Sequence, residues 1–140
     1  MISLRLVLDT NIFVSAALKP DSLPRTVVVL ALAKPARLYA TREILTEYHD
    51  VLSRPDLNLP RGRCRQLLGL AGKRAYLVKP NRIPQITSDP DDLKFLECAD
   101  AARADYLIAG NTRHFPAFWK RTKVITPREF LILVSPHLLG

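Results

Sequence analysis

The chain has 140 residues, of which 48% are hydrophobic and 24% are charged, which is the balance of one globular domain spanning residues 1–140. This composition argues against disordered and fibrous classes, and no apolar run approaches the ~20 residues of a membrane helix. The first residues lack the features of a signal peptide, and the two cysteines follow no metal-binding or redox spacing. These observations predict a cytoplasmic protein that does not associate with membranes.

The charge is strongly basic and unevenly distributed. Lys and Arg number 21 against 13 Asp and Glu, a formal net charge of +8. Such an excess favours a polyanionic partner, most commonly nucleic acid, although a gain in solubility alone would also explain it. Six acids lie within residues 89–105, together with only two bases. This acidic segment predicts a cation site, and the alternative is that its first acids only stabilise a helix N-terminus.

Predicted strands and helices alternate along the whole chain. Short apolar runs predict strands at 4–8, 38–40, 76–78, 106–109 and 124–126. Amphipathic spacing and start signals predict helices at 11–18, 24–33, 42–52 (capped by Thr41), 61–72, 92–103 and 127–134. This alternation is typical of an α/β fold with a central parallel sheet of about five strands and helices on both faces. Ligands bind such sheets beyond the carboxyl ends of the strands, where the strand order reverses.

Three acids are candidates for the chemistry at that edge. Asp9 directly follows the first strand, and with Thr10 and Asn11 it brings more polar groups than one helix cap requires. Glu47 lies on or beside the buried stripe of its helix. The alternative is that Glu47 lies at the solvated edge of the helix and pairs with Arg42 or Arg54. Asp92 shares the buried face of its helix, and a metal role and a capping role both remain open for it.

Four segments in order resemble those of PIN-domain proteins, most closely the toxins of bacterial toxin–antitoxin pairs. The segments are VLDTNIFVSAAL at 7–18, REILTEYHDVLSRP at 42–55, DPDDLKFLECADAARADYLIAGNTRHFP at 89–116 and VITPREFL at 124–131. The resemblance spans nearly the whole chain and is weakest over 56–85. It implies a three-layer α/β/α fold and a metal-dependent endoribonuclease with Mg²⁺ or Mn²⁺.

The resemblance also implies a role for individual residues. Asp9, Glu47 and Asp92 match the family's acids and would hold the ion, with Asn111 beside them. Thr10 and Asn11 match the polar pair that orients the first acid and contacts substrate or water, and Thr112 and Arg113 fall where RNA would lie. The implied partners are RNA, an antitoxin protein and, through the helix at 127–134, a second copy of the chain.

One departure from the family pattern concerns the end of the fourth strand. An aspartate is usual after the glycine there, and this chain has Asn111. An amide oxygen can bind a hard cation but adds no negative charge, so binding of the ion should weaken. The alternative function is therefore a PIN-like module that binds RNA or a partner protein with little or no catalysis.

The basic residues are expected to attract RNA to the site. The candidates are Arg61, Arg63, Arg65, Lys73, Arg74 and Arg113. If they act in this way, the affinity for RNA falls steeply as the salt concentration rises.

Overall fold

The computed structural model describes residues 3–82 and 90–139, so the predictions that concern Asp89 lie outside the described residues. The strands are β1 (Arg5–Leu8), β2 (Arg37–Ala40), β3 (Tyr76–Leu77), β4 (Tyr106–Ile108), β5 (Phe118–Trp119) and β6 (Thr122–Ile125). The helices are α1 (Thr10–Leu18), α2 (Leu23–Ala31), α3 (Arg42–Leu52), α4 (Arg61–Arg74), α5 (Pro90–Ala102) and α6 (Pro127–Leu139). All five predicted strands and all six predicted helices are present, with ends that differ by a few residues.

The strands form one mixed sheet in the order β3-β2-β1-β4-β6-β5. The first five strands of this order run parallel, and β5 pairs antiparallel with β6. With the helices, the sheet forms the expected three-layer α/β/α arrangement. The sheet has six strands and not five, because a tight turn at Lys120, with φ of 55°, folds the segment before β6 back onto it.

The position of β1 in the middle of the sheet explains why its sequence is almost entirely apolar. Leu6, Val7 and Leu8 are fully buried, as expected for a strand covered on both faces. Helix α5 packs against β1 and both of its neighbours.

None of the helices in the described part of the chain is long and apolar enough to cross a bilayer.

The strand order reverses between β1 and β4. The chain builds β1, β2 and β3 in one direction and then crosses to the other side of β1 to form β4. The carboxyl ends of β1 and β4 therefore border the crevice in which ligands bind to such sheets. The two ends are joined directly, since the Asp9 N–H donates to the Ile108 carbonyl at 3.0 Å.

Candidate active site

Asp9 lies at the carboxyl end of β1 and is only 8% exposed. It precedes the first residue of α1, yet its side chain makes no capping hydrogen bond to that helix. Burial is the main cause that raises the pKa of Asp9 from 3.8 to about 6, and the negative charges of Asp92 and Glu47 raise it further. The nearby N–H groups of Thr10 and Asn11 oppose the rise. Asp9 is thus a buried carboxyl group in the field of two other acids.

Glu47 reaches the same place from α3, and both of its carboxylate oxygens have partners. The Thr10 hydroxyl donates to Oε2, and the Lys94 ammonium lies 2.5 Å from Oε1. The side chains of Lys94 and Glu47 are only 17% and 23% exposed, so this ion pair is largely shielded from water. Glu47 therefore turns towards the site, and these partners are not the arginines that the alternative sequence interpretation suggested.

Tyr48 fixes the position of α3 relative to β1. Its buried hydroxyl donates to the Leu8 carbonyl at 2.5 Å, and its ring lies 4.4 Å from that of Phe13, centroid to centroid. Burial raises the pKa of the Tyr48 hydroxyl well above its ordinary range, so the group stays protonated and remains a donor. Since Leu8 and Tyr48 directly adjoin Asp9 and Glu47 in sequence, this bond helps to hold the two acids at one place.

We expect Tyr48→Phe to lower the free energy of unfolding by about 1–2 kcal/mol, because the Leu8 carbonyl loses its buried donor. Urea denaturation measures the change. Tyr76→Phe is the matched control, since Tyr76 is exposed and lies in the outermost strand β3. We expect it to change the free energy of unfolding by no more than about 0.5 kcal/mol. Equal losses in the two variants would contradict the positioning role of the Tyr48 hydroxyl.

Asp92 lies in the first turn of α5 and is half-buried, whereas its neighbour Asp91 is exposed. Its charge has the largest charge effect on Asp9 and raises the pKa of that carboxyl group, so the two acids lie near each other at the end of β1. Asp92 therefore joins Asp9, as the face of its helix predicted. The three candidate acids come from β1, α3 and α5, and they converge at one edge of the sheet.

The later acids of the acidic segment have a different role. Glu97 pairs with Arg82 at 3.2 Å, Asp100 with Lys120 at 2.9 Å, and Asp105 with Arg121 at 3.4 Å. These carboxylates tie α5 and the start of β4 to neighbouring segments. Within the described part of the acidic segment, the cation-site prediction thus concerns mainly Asp92.

Asn111 and the residues after it lie beyond the end of β4. The Asn111 side-chain oxygen accepts from the Arg113 N–H at 3.1 Å and caps the short 3-10 turn at Thr112–His114. Asn111 and Arg113 are exposed, and Thr112 is half-buried. Asn111 thus uses its amide oxygen locally, next to the crevice.

The carboxylates suit a hard cation but do not surround one as they stand. Within residues 3–82 and 90–139, no group of three His, Cys, Asp or Glu has the geometry to hold a metal ion. Thr10 and Lys94 each donate a hydrogen bond to one oxygen of the Glu47 carboxylate. The chemistry of the donors still fits Mg²⁺ or Mn²⁺, which prefer carboxylate oxygens and water.

The basic residues do not form one surface around this site. Lys73 and Arg74 line a cleft of about 590 Å³ with the starts of β2 and β3, at the opposite edge of the sheet from Asp9. Arg61 and Arg65 lie beside the end of α3 in a second cleft. Lys73 and Arg74 can therefore add to the general attraction of a polyanion, but they lie at the other end of the strands from Asp9.

Comparison with known proteins identifies the family. The PIN domain profile matches residues 5–113, and the chain belongs to the PIN domain family. The chain is 28% identical over 142 residues to the uncharacterised protein MJ1680 of Methanocaldococcus jannaschii, covering 93% of this chain and 91% of that protein.

A solved structure agrees with this assignment at the level of the fold. The crystal structure of VapBC2 from Rickettsia felis, bound to a DNA fragment from their promoter, contains a similar chain with a TM-score of 0.58. The match covers 87% of this chain and 98% of that chain at 16% sequence identity. At this identity, the likeness concerns the fold alone.

Proposed function

We propose that the protein is a metal-dependent endoribonuclease of the PIN type that hydrolyses RNA phosphodiester bonds. One observation carries the proposal: the Asp9 carboxyl group is buried at the end of the central strand, in the field of Asp92 and Glu47. A buried charge that faces like charges is costly unless a cation neutralises it. Membership of the PIN family supports the same chemistry.

The three acids would share the work of holding the ion. Asp9, Asp92 and, at the side, Glu47 would hold Mg²⁺ or Mn²⁺, which when bound activates water and neutralises charge on the phosphodiester. Thr10 and Lys94 fix the Glu47 carboxylate in one orientation. Each carboxylate oxygen keeps a further lone pair, so Glu47 can accept a hydrogen bond from the attacking water and orient it.

Residues at the same edge of the sheet would contact RNA. Asn11, Asn111, Thr112 and Arg113 follow β1 and β4, and the exposed Arg113 side chain can pair with a phosphate. The net charge of +8 supplies the long-range attraction.

Both cysteines are free and buried, which is compatible with a cytoplasmic protein.

We also propose that the protein is the toxin of a toxin–antitoxin pair. The sequence resemblance and the fold of the Rickettsia felis structure support this assignment. Exposed Ile132 and Leu133 on α6, together with Val29 on the contacting helix α2, offer an apolar face for an antitoxin or a second copy of the chain.

Cleavage of end-labelled RNA by the purified protein tests the nuclease proposal. We expect cleavage in Mg²⁺ or Mn²⁺ and none in a chelator. Glu47→Gln should slow it by roughly 10–100-fold, the usual loss when a group that supports a metal site is changed. Asp50→Asn on the same helix is the control, because it changes an exposed carboxylate, and it should retain the rate. A Glu47→Gln protein as active as wild type would contradict the role of Glu47, and equal activity in Asp9→Asn as well would indicate a contaminating nuclease.

The second candidate function is a non-catalytic PIN-like module. The specific observation that favours it is Asn111, which replaces an expected acid and uses its amide oxygen to cap a turn. RNA binding that persists in a chelator, with no cleavage in either ion, would favour this module over the nuclease.

A further inference from the structure

The Lys94 ammonium occupies a position that is itself acidic. It lies 2.5 Å from Glu47 Oε1, and the charges of Glu43 and Asp91 also act on it. The Lys94 ammonium is therefore a cation largely shielded from water that Glu47 holds directly, in the field of two exposed acids. This position is close to Asp9, because Glu47 contacts Lys94 through Oε1 and Thr10, the residue next to Asp9, through Oε2, and its charge acts on Asp9.

Many enzymes that act on phosphodiesters place two divalent ions side by side, with carboxylates between them. In this chain Asp9 and Asp92 form an inner position, and the ion pair of Lys94 with Glu47 forms an outer position beside it. The outer position already contains a positive charge that is covalently part of the protein. With Lys94, the three candidate ligands Asp9, Glu47 and Asp92 carry a net charge of −2, which a single divalent ion neutralises, whereas Glu43 and Asp91 are exposed to solvent.

We propose that the Lys94 ammonium replaces the second cation, so that the site binds one exchangeable divalent ion, at the inner position. The proposal rests on the proposed function, since it assumes that Asp9 and Asp92 hold a metal. Lys94 is then a positioning residue: it holds Glu47 Oε1 and prevents that oxygen from binding a further ion.

Counting bound Mn²⁺ tests the proposal without reference to activity. Mn²⁺ titration followed by electron paramagnetic resonance of the free ion should give one ion per wild-type chain. Lys94→Met keeps the length of the side chain and removes its charge, and it should bind two ions. Lys94→Arg keeps the charge and should bind one. Lys73→Met removes the same charge at the far edge of the sheet and should also bind one.

The outcomes separate the inference from the function on which it rests. One ion in wild type and in a folded Lys94→Met protein would overturn the role of Lys94 and leave the nuclease site intact. No ion in either protein would overturn the proposed function and the inference together. Two ions in wild type would overturn the inference even if Lys94→Met failed to fold.

Discussion

Replacing Asp9 with Asn is expected to abolish activity and, unusually for a buried polar residue, to stabilise the metal-free protein. The cleavage rate should fall roughly 10³-fold, at the upper end of the loss seen when one group that stabilises transition-state charge is removed. The metal-free fold should gain about 2–3 kcal/mol at pH 7.5, because burial and the charges of Asp92 and Glu47 oppose the ionised Asp9. Both effects have one cause. The negative charge of Asp9 attracts the metal ion, and the same charge destabilises the fold when no ion is bound.

A cleavage assay and urea denaturation in a chelator measure the two effects of Asp9→Asn. Asp21→Asn is the matched control, because Asp21 is exposed and lies in the turn before α2. It should change neither the rate nor the free energy of unfolding. An Asp9→Asn protein that is inactive and also less stable than wild type would indicate a structural role for Asp9.

The second large expected effect is that the stability of the metal-free protein depends on pH. We expect a bound metal ion to reverse this dependence. The pKa of Asp9 is about 6 in the folded state against 3.8 ordinarily, so the folded state binds this proton more tightly. Below pH 3.8 the group is protonated in both states and no penalty applies. As pH rises from about 4 to about 6, the contribution of Asp9 to stability falls by about 3 kcal/mol and then stays constant.

A bound divalent ion should restore this lost stability above pH 6. An ion present at 100 times its dissociation constant adds about 2.7 kcal/mol to the free energy of unfolding. Denaturation curves of wild type and Asp9→Asn from pH 4 to pH 8, with chelator and with Mn²⁺, measure the difference between the two proteins. The other carboxylates are common to both, so the difference reports Asp9 together with its charge coupling to Asp92 and Glu47. A difference that does not vary with pH would show that the pKa of Asp9 is not raised.

The sequence predicted the positions of the elements well because each signal is local. Thr41 accepts a hydrogen bond from the Ile44 N–H at 3.1 Å, as its place before an amphipathic run predicts. The missed strand β5 has only two residues and joins β6 through a turn with a positive φ at Lys120. Glycine or asparagine usually marks such a turn, and neither is present here.

The site was predictable as a set of acids but not as a network. The carboxylates at the ends of strands and in the first turn of α5 can be found from their place in the pattern. The partnership of Glu47 with Lys94 joins residues 47 positions apart, and no local pattern encodes it. Tyr48 shows the same limit, since its place on an apolar helix face indicates burial but not the carbonyl that its hydroxyl meets. The capping role of Asn111 depends on the conformation of the turn that follows it.

The two outermost strands of the sheet have a consequence for behaviour at high concentration. β3 and β5 have two residues each, and both expose apolar side chains, at Leu77 and Phe118. Long, flat outer strands invite the backbone of another molecule to extend the sheet and so lead to aggregation. Strands this short offer very few free backbone groups, and Lys79 and Lys120 add repulsive charge beside them. Short strands and nearby lysines thus limit growth of the sheet in both directions.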